Sequence, residues 1–258
     1  MYAASEEKKI LTVGDGDFSF SLALAKGLAS QGGMESSANL TASSHESYES
    51  ILNTYPGVQA TLDELHELKV RVLHDLDATS YQATSPSDIS NEKYDIIIWN
   101  FPCIGVEEGK SRDKATGAQG PDGQTEELEQ NKLLMKNFFQ NITTNLNSNG
   151  GEVHITHKTF EPFSWWDMPL LNDESSIITK TKSKSKSKET TKTTKLTKLT
   201  FLGRIIFDRC LYPNYINRKV LHKKSFPSHD AEVFVFKLPP SSSSSSSSSN
   251  KKKTESKV

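Results

Sequence analysis

The chain has 258 residues, with 31 Lys or Arg against 32 Asp or Glu and a formal net charge of −1, a size that suits one substantial core with insertions rather than two full domains. No apolar run approaches the roughly 18 residues that a membrane span needs, and Cys103 and Cys210 sit in unrelated contexts with no Cys-x-x-Cys or Cys/His spacing, which argues against a membrane protein, a disulfide scaffold and a metal centre. The expectation is a soluble intracellular protein with both thiols reduced.

Ile10-Leu11-Thr12-Val13 is an apolar run that reaches two glycines one residue apart, Gly14 and Gly16, after which Phe20, Leu24 and Leu28 recur at helical spacing. That reads as strand, tight turn, helix. Glycine in such a turn supplies positive φ or lets a ligand approach the backbone, and the free N–H groups of the helix start face the same spot. A dinucleotide fingerprint would need glycine where this chain has Ser19, and Asp15 and Asp17 flank Gly16. Each carboxylate beside a pyrophosphate costs about 1–4 kcal/mol, so a cationic ligand without phosphate, S-adenosylmethionine, suits the turn better. Gly14, Asp15, Gly16, Asp17 and Phe18 are the candidate cofactor-binding residues here. The plain alternative is a strand-to-helix turn capped by Asp17 or Ser19.

Gly32-Gly33 breaks the first helix, and Asn39 to Ser44 is a second strand, followed by His45-Glu46 and a helical stretch from Ser47 through Leu52 that stops before Pro56. The carboxyl end of a second strand meets a cofactor ribose in doubly wound sheets, which makes Glu46 a candidate; a solvated helix-start glutamate is the alternative. Leu62 to Leu68 suits a short helix. Lys69 to Thr79 reads as a third strand whose Asp77 could accept from an adenine amino group or cap the next turn, and residues 80–92 read as loop.

Tyr94 to Gly105 is the second strong signal. Ile96-Ile97-Ile98-Trp99 suits a central parallel strand buried on both faces, broken by Asn100-Phe101-Pro102 where the chain should leave the sheet. Asn100 could present its amide to a planar base, with Phe101 stacking and Pro102 stiffening the loop; these are the candidate catalytic residues. Residues 106–125 read as a mobile loop or lid. A helix through Leu133, Leu134, Phe138 and Phe139 ends at Asn149-Gly150-Gly151, and Glu152 to Lys158 alternates as a fifth strand with His157 near its end. The aromatic cluster Phe163 to Trp166 reads as core packing or a cover over the cofactor.

Residues 179–198 are Lys/Ser/Thr-rich and read as a disordered insertion, and Ser241 to Ser249 with the following lysines as a flexible tail. These two segments hold 12 of the 31 basic residues but only Glu189 and Glu255 of the acidic ones, leaving a body of 19 cations against 30 anions. Long-range attraction to nucleic acid is expected to come from the arms. Between strand candidates Leu199 to Phe207 and Asp230 to Leu238, a turn-rich loop carries Tyr212, Tyr215 and Arg218. Seven strands result, the last two too close for an intervening helix. The expected fold is α/β, Rossmann-like, a seven-stranded mostly parallel sheet with an antiparallel edge, as in class I methyltransferases.

Assembled in order, Val13-Gly14-Asp15-Gly16-Asp17-Phe18-Ser19-Phe20, Asp77-Ala78-Thr79, Asn100-Phe101-Pro102 with Gly105, Gly151 to Thr156, and Tyr212-Pro213 with Tyr215 and Arg218 resemble the Bmt5-like family, which includes the eukaryotic 25S ribosomal RNA uridine-N3 methyltransferase. The resemblance spans roughly residues 10–238. It implies a methyltransferase domain over 8–238 and a tail over 239–258, S-adenosylmethionine as cofactor, ribosomal RNA or the pre-ribosome as partner, uridine N3 as target, and a nucleolar location. The chain departs from the family where Ser43-Ser44-His45 replaces a Ser-Tyr-Asp-like strand end, leaving Glu46 as substitute, where His157 replaces an expected leucine, and where Cys103 follows Pro102. The base for the uridine proton stays open among Asp17, His157 and water. The rival readings are a non-catalytic RNA-binding or ribosome-assembly module with the same fold, and a nicotinamide-dependent oxidoreductase.

Overall fold

Short β-branched runs alternating with helical stretches assemble into one sheet covered on both faces. The computed structural model describes residues 8–104, 126–176, 180–185, 188–193 and 197–240, with the 180–193 portion described by its backbone alone. The lid candidate 106–125, Gly105 and the tail from Ser241 lie outside the described residues.

In chain order the strands are β1 (Ile10–Val13), β2 (Leu40–Ser43), β3 (Arg71–Leu73), β4 (Ile96–Asn100), β5 (Glu152–Lys158), β6 (Lys180–Ser185), β7 (Lys188–Thr193), β8 (Thr200–Ile206), β9 (Arg218–Lys219), β10 (His222–Ser225) and β11 (Ala231–Lys237). Seven of them form the main sheet in the order β3-β2-β1-β4-β5-β11-β8. The first five pair in parallel, while β11 runs antiparallel to both β5 and β8. The stretch between β8 and β11 holds a short 3-10 turn, β9 and β10 but no α-helix, so no helical crossover joins them as parallel neighbours. This is the α/β, Rossmann-like sheet with an antiparallel edge that the pattern predicts.

The helices are α1 (Ser19–Gly32), α2 (Met34–Ser37), α3 (Tyr48–Thr54), α4 (Val58–Glu67), α5 (Tyr81–Thr84), α6 (Glu126–Ile142) and α7 (Met168–Ser175). Because strand side chains alternate, Ile96 and Ile98 of β4 join the layer holding Leu24 of α1, Ile51 of α3 and Leu65 of α4. Ile97 and Trp99 join the opposite layer with Phe138 of α6 and Leu171 of α7. Both faces of β4 are thereby buried, the physical reason for its unbroken apolar run.

Local structure departs from expectation in four places. The third strand is only Arg71–Leu73, because Lys69 and Asp75 take positive φ at either side of it. Leu62 to Leu68 is the second half of a longer helix, α4, and the 80–92 loop contains the single turn α5 with Tyr81 buried beneath it. Within the Lys/Ser-rich insertion, β6 and β7 pair as an antiparallel hairpin instead of the structureless segment its composition suggests.

The fold brings the carboxyl ends of β1, β2, β4 and β5 to one edge. There the turn after β1 meets the loop after β4.

Candidate functional site

Gly14 has φ 66°, and a Cβ at that position would lie 2.7 Å from the indole Nε1 of Trp99. Glycine is required twice over, by the left-handed backbone and by the close approach of β4. A Cβ on Gly16 would lie 2.8 Å from the hydroxyl of Tyr55. That hydroxyl donates to Glu46 Oε1 at 2.6 Å, and Ser50 Oγ donates to Glu46 Oε2 at 3.2 Å. Glu46 is therefore buried, and one phenol links it to the glycine turn. Burial and the bond to Glu46 push the Tyr55 phenol far up, so it stays neutral.

Asp15 turns forward onto the start of α1, where its Oδ2 accepts from the Ser21 backbone N–H at 2.8 Å and from Ser21 Oγ at 2.6 Å. This caps a helix that otherwise begins on Phe18 with no side-chain cap from that residue. Burial and the neighbouring charge of Asp17 raise the Asp15 carboxyl to about 7, against the lowering effect of the Ser21 bonds. Asp17 accepts from the Ser19 N–H at 3.1 Å and forms an ion pair with Arg218 Nε at 2.5 Å. Both aspartates thus serve the helix start, Asp15 six residues ahead of itself and Asp17 two. Phe18, with φ 56°, buries its ring completely and sets it edge-on against His74. Phe18 shapes the turn through its backbone, and its ring faces the core.

Asp77 lies beyond β3. Its Oδ1 accepts from the N–H and hydroxyl of Thr79, and its Oδ2 accepts from Ser80 Oγ. Partial burial opposes its charge, but these bonds outweigh burial and hold the carboxyl below its ordinary range.

At the end of β4, Asn100 Oδ1 accepts from Thr156 Oγ1 of β5 at 2.5 Å, across the register that pairs these two residues. Its Nδ2 is buried without a hydrogen-bond partner of ordinary geometry. Phe101 follows with φ 51° and donates its N–H to the Thr156 carbonyl. Its ring is held edge-on by Phe207 and Phe226 rather than left open for a base. Pro102 is buried in the loop. Gly14 to Asp17, Asn100 and Phe101 line one small cavity of about 40 Å³, closed from the other side by Tyr215, Ile216, Arg218 and Phe226. Burial together with the charges of Asp15 and Asp17 drives the Tyr215 phenol well up.

His157 points the other way. It neighbours Thr156, so the strand alternation turns it to the opposite face, where its ring lies 4.4 Å from Trp166 and its Nε2 is 3.2 Å from the Phe163 carbonyl. Burial lowers its pKa to about 4, so it is a neutral packed residue removed from the cavity. The structure accordingly gathers Gly14, Asp15, Gly16, Asp17, Asn100 and Phe101 around one cavity. It sets Glu46 one phenol away, and it leaves Phe18 and His157 pointing elsewhere. Tyr55, Thr156 and Phe226 belong to the same constellation and carry no motif that would single them out in sequence. No group of three or more His, Cys, Asp or Glu side chains suited to a metal occurs among the described residues, and no described helix is long and apolar enough to cross a membrane.

A family model described as BMT5-like, rRNA (uridine-N3-)-methyltransferase BTM5-like, matches residues 11–219. The chain is 31% identical over 180 residues to an Arabidopsis thaliana protein described as uncharacterized, covering 70% of this chain and 77% of that one. It is 27% identical over 215 residues to the heavy metal-associated isoprenylated plant protein 41 of Arabidopsis thaliana, covering 83% of this chain and 33% of that protein. It is also 28% identical over 149 residues to the mouse ferredoxin-fold anticodon-binding domain-containing protein 1 homolog, covering 58% of this chain and 20% of the relative. The chain therefore matches about a third or less of two of these longer proteins.

Proposed function

Because the chain belongs to the BMT5-like rRNA (uridine-N3-)-methyltransferase family, we propose that it transfers a methyl group from S-adenosylmethionine to N3 of a uridine in large-subunit ribosomal RNA. The observation that carries this reading is the Asn100 amide: a buried N–H donor that meets the Tyr215 phenol but has no partner of ordinary hydrogen-bond geometry, its oxygen tied to Thr156, in the wall of the cavity that the glycine turn also lines. An unpaired buried donor costs about 1–3 kcal/mol, which a ligand acceptor would recover.

The side chains fit S-adenosylmethionine. Asp15, Glu46 and Asp77 place carboxylates at the ends of β1, β2 and β3, and Arg218 is already engaged by Asp17, so the strand ends offer a cationic ligand more than they offer a phosphate. Gly14, Asp15 and Gly16 would hold the methionine end, Glu46 the ribose and Asp77 the adenine. Bound there, the cofactor supplies an electrophilic methyl group. Asn100 Nδ2 donates to a carbonyl of the uracil and fixes its ring, so that most of the rate advantage comes from orientation. Pro102 stiffens the loop that sets this amide, and Phe101 anchors it in the cluster with Phe207 and Phe226. The N3 proton must leave before or during transfer. Asp17 is held by Arg218 and His157 faces the opposite side, whereas Asp15 changes charge near neutrality within the cavity.

The reading carries with it a pre-ribosomal partner and a nucleolar location. Mass spectrometry of nucleosides from ribosomal RNA, with and without the protein, tests it: N3-methyluridine should appear only with the protein. Retained RNA binding with no measurable S-adenosylmethionine affinity by calorimetry would instead establish the non-catalytic assembly module.

A further inference from the structure

Outside the lysine-rich arms the chain is acidic, with 19 cations against 30 anions, and most of the cations among the described residues there have carboxylate partners. Lys26 pairs with Glu64, Lys136 with Glu174, Lys237 with Glu152 and Arg204 with Glu232. Lys93 and Arg209 bond backbone carbonyls instead, and one further group breaks the pattern. Lys158 at the end of β5, Lys219 of β9, and Lys223 and Lys224 of β10 pair with no carboxylate among the described residues.

Lys158 is the most constrained of the four. Its Nζ lies 5.0 Å from the ring centre of Phe163, 5.1 Å from Phe226 and 5.4 Å from Phe160. The aromatic faces hold the ammonium in place by cation–π attraction without neutralising it. Lys219 lies two residues beyond Asn217, whose carbonyl accepts from the Phe226 N–H, so β9 runs beside the ring that Lys158 covers, and burial with the charge of Lys219 lowers the Lys158 pKa. Two cations held together with no anion between them are stabilised when an anion arrives. The location says which anion. Phe226, under Lys158, touches Phe101 with ring centroids 5.1 Å apart and lines the same cavity as Asn100. Lys158 therefore stands one aromatic ring away from the proposed target base. It also rims a cleft of about 300 Å³ walled by Phe163, Phe201 and Phe234, with room for the base that follows a clamped phosphate.

We propose that Lys158 and Lys219 clamp a backbone phosphate of the RNA strand flanking the target uridine, with Lys223 and Lys224 extending the track along the β9–β10 hairpin. This rests on the RNA methyltransferase reading, and it places strand recognition on the folded body, where composition pointed only to the flexible arms.

The test is equilibrium binding of the full chain to a single-stranded, uridine-containing RNA oligonucleotide between 50 and 200 mM salt. Each phosphate contact to single-stranded nucleic acid contributes about 0.7 to the slope of log K against log salt, so losing the one clamped phosphate in Lys158→Gln with Lys219→Gln should reduce that slope by about 0.7 and weaken binding about fivefold near 0.1 M salt. Lys158→Arg should keep the slope, and Lys136→Gln, on a paired lysine of α6, should match the unmodified chain. Calorimetry with S-adenosylmethionine reports separately on the cofactor edge: unchanged cofactor affinity in the double variant shows that the fold survives. An unchanged salt slope, or no RNA binding by the unmodified chain, overturns the clamp. Loss of the slope in a chain that transfers no methyl group supports the clamp while refuting the enzyme reading.

Discussion

The two loops that form the cavity treat their polar groups in opposite ways. In the turn after β1 every carboxylate is satisfied from within, Asp15 by Ser21 and Asp17 by Ser19 and Arg218. In the loop after β4, Asn100 is well satisfied on its oxygen by Thr156, while its buried amide N–H meets the Tyr215 phenol without ordinary hydrogen-bond geometry. The first loop is a finished piece of architecture that presents backbone to a ligand. The second leaves one buried donor without a well-formed hydrogen bond, where an added acceptor would contribute stability.

Substitutions sharpen this contrast by touching one loop at a time. Asn100→Ala should lower methyl transfer by about a thousandfold, near 4 kcal/mol, with S-adenosylmethionine affinity by calorimetry little changed. Near-normal turnover would break the contrast outright. Arg218→Ala should instead act on stability, because it leaves the buried Asp17 carboxylate without its cation. A loss of about 3 kcal/mol in urea denaturation is expected. Gly14→Ala meets both the positive φ and the indole of Trp99, and should cost about 2 kcal/mol by the same measurement.

The smallest effect is one of pH. Asp15 is raised to about 7 in the fold, so between pH 4 and 7 the native state binds more protons than the unfolded chain, and its contribution to stability declines as pH rises through that window. His157, lowered to about 4, works in the opposite direction between pH 4 and 6.5, where the unfolded chain binds the extra proton and stability rises with pH. Asp15→Asn removes the falling contribution only. Relative to the unmodified chain, the variant should gain up to about 2 kcal/mol between pH 5 and 7, while its loss of the bonds to Ser21 lowers its stability equally at both pH values. Denaturation curves at the two pH values that keep the same difference between the proteins would remove Asp15 from the account.

The strand-turn-helix at Gly14 and the strand ending at Asn100 were legible because their signals are local: a β-branched run, a pair of glycines, a polar break after four apolar residues. The seven-stranded sheet with an antiparallel edge followed from counting strands and noting that the last two lack a helix between them. The site's partners were not legible, since they act over long sequence separations. Nothing around Tyr55 announces that its hydroxyl meets both Glu46 and the space above Gly16, and nothing in Thr156 marks it as the group that orients Asn100 across a strand register. His157 was misleading for a related reason. One residue along a strand decides which face a side chain serves, and sequence alone gave no register for β5 against β4. The capping role of Asp15 was missed because an N-cap is sought beside the first helical residue, while this carboxylate reaches to Ser21.

The placement of β11 has a consequence for how the protein is made. Strands β1 to β5 are all present once residue 158 has been synthesised, but β5 then lacks the antiparallel neighbour that separates it from β8. That neighbour comes from residues 231–237, and the residues that close the cavity, Tyr215 and Arg218, arrive only shortly before it. A nascent chain therefore holds its glycine turn long before it holds a working pocket, with Asp17 waiting for its cation and one edge of β5 open to pairing. Vectorial synthesis makes the wall opposite the glycine turn the last part of the cavity to mature, and a chaperone that shields the open edge of β5 would act on the interval between residues 158 and 237.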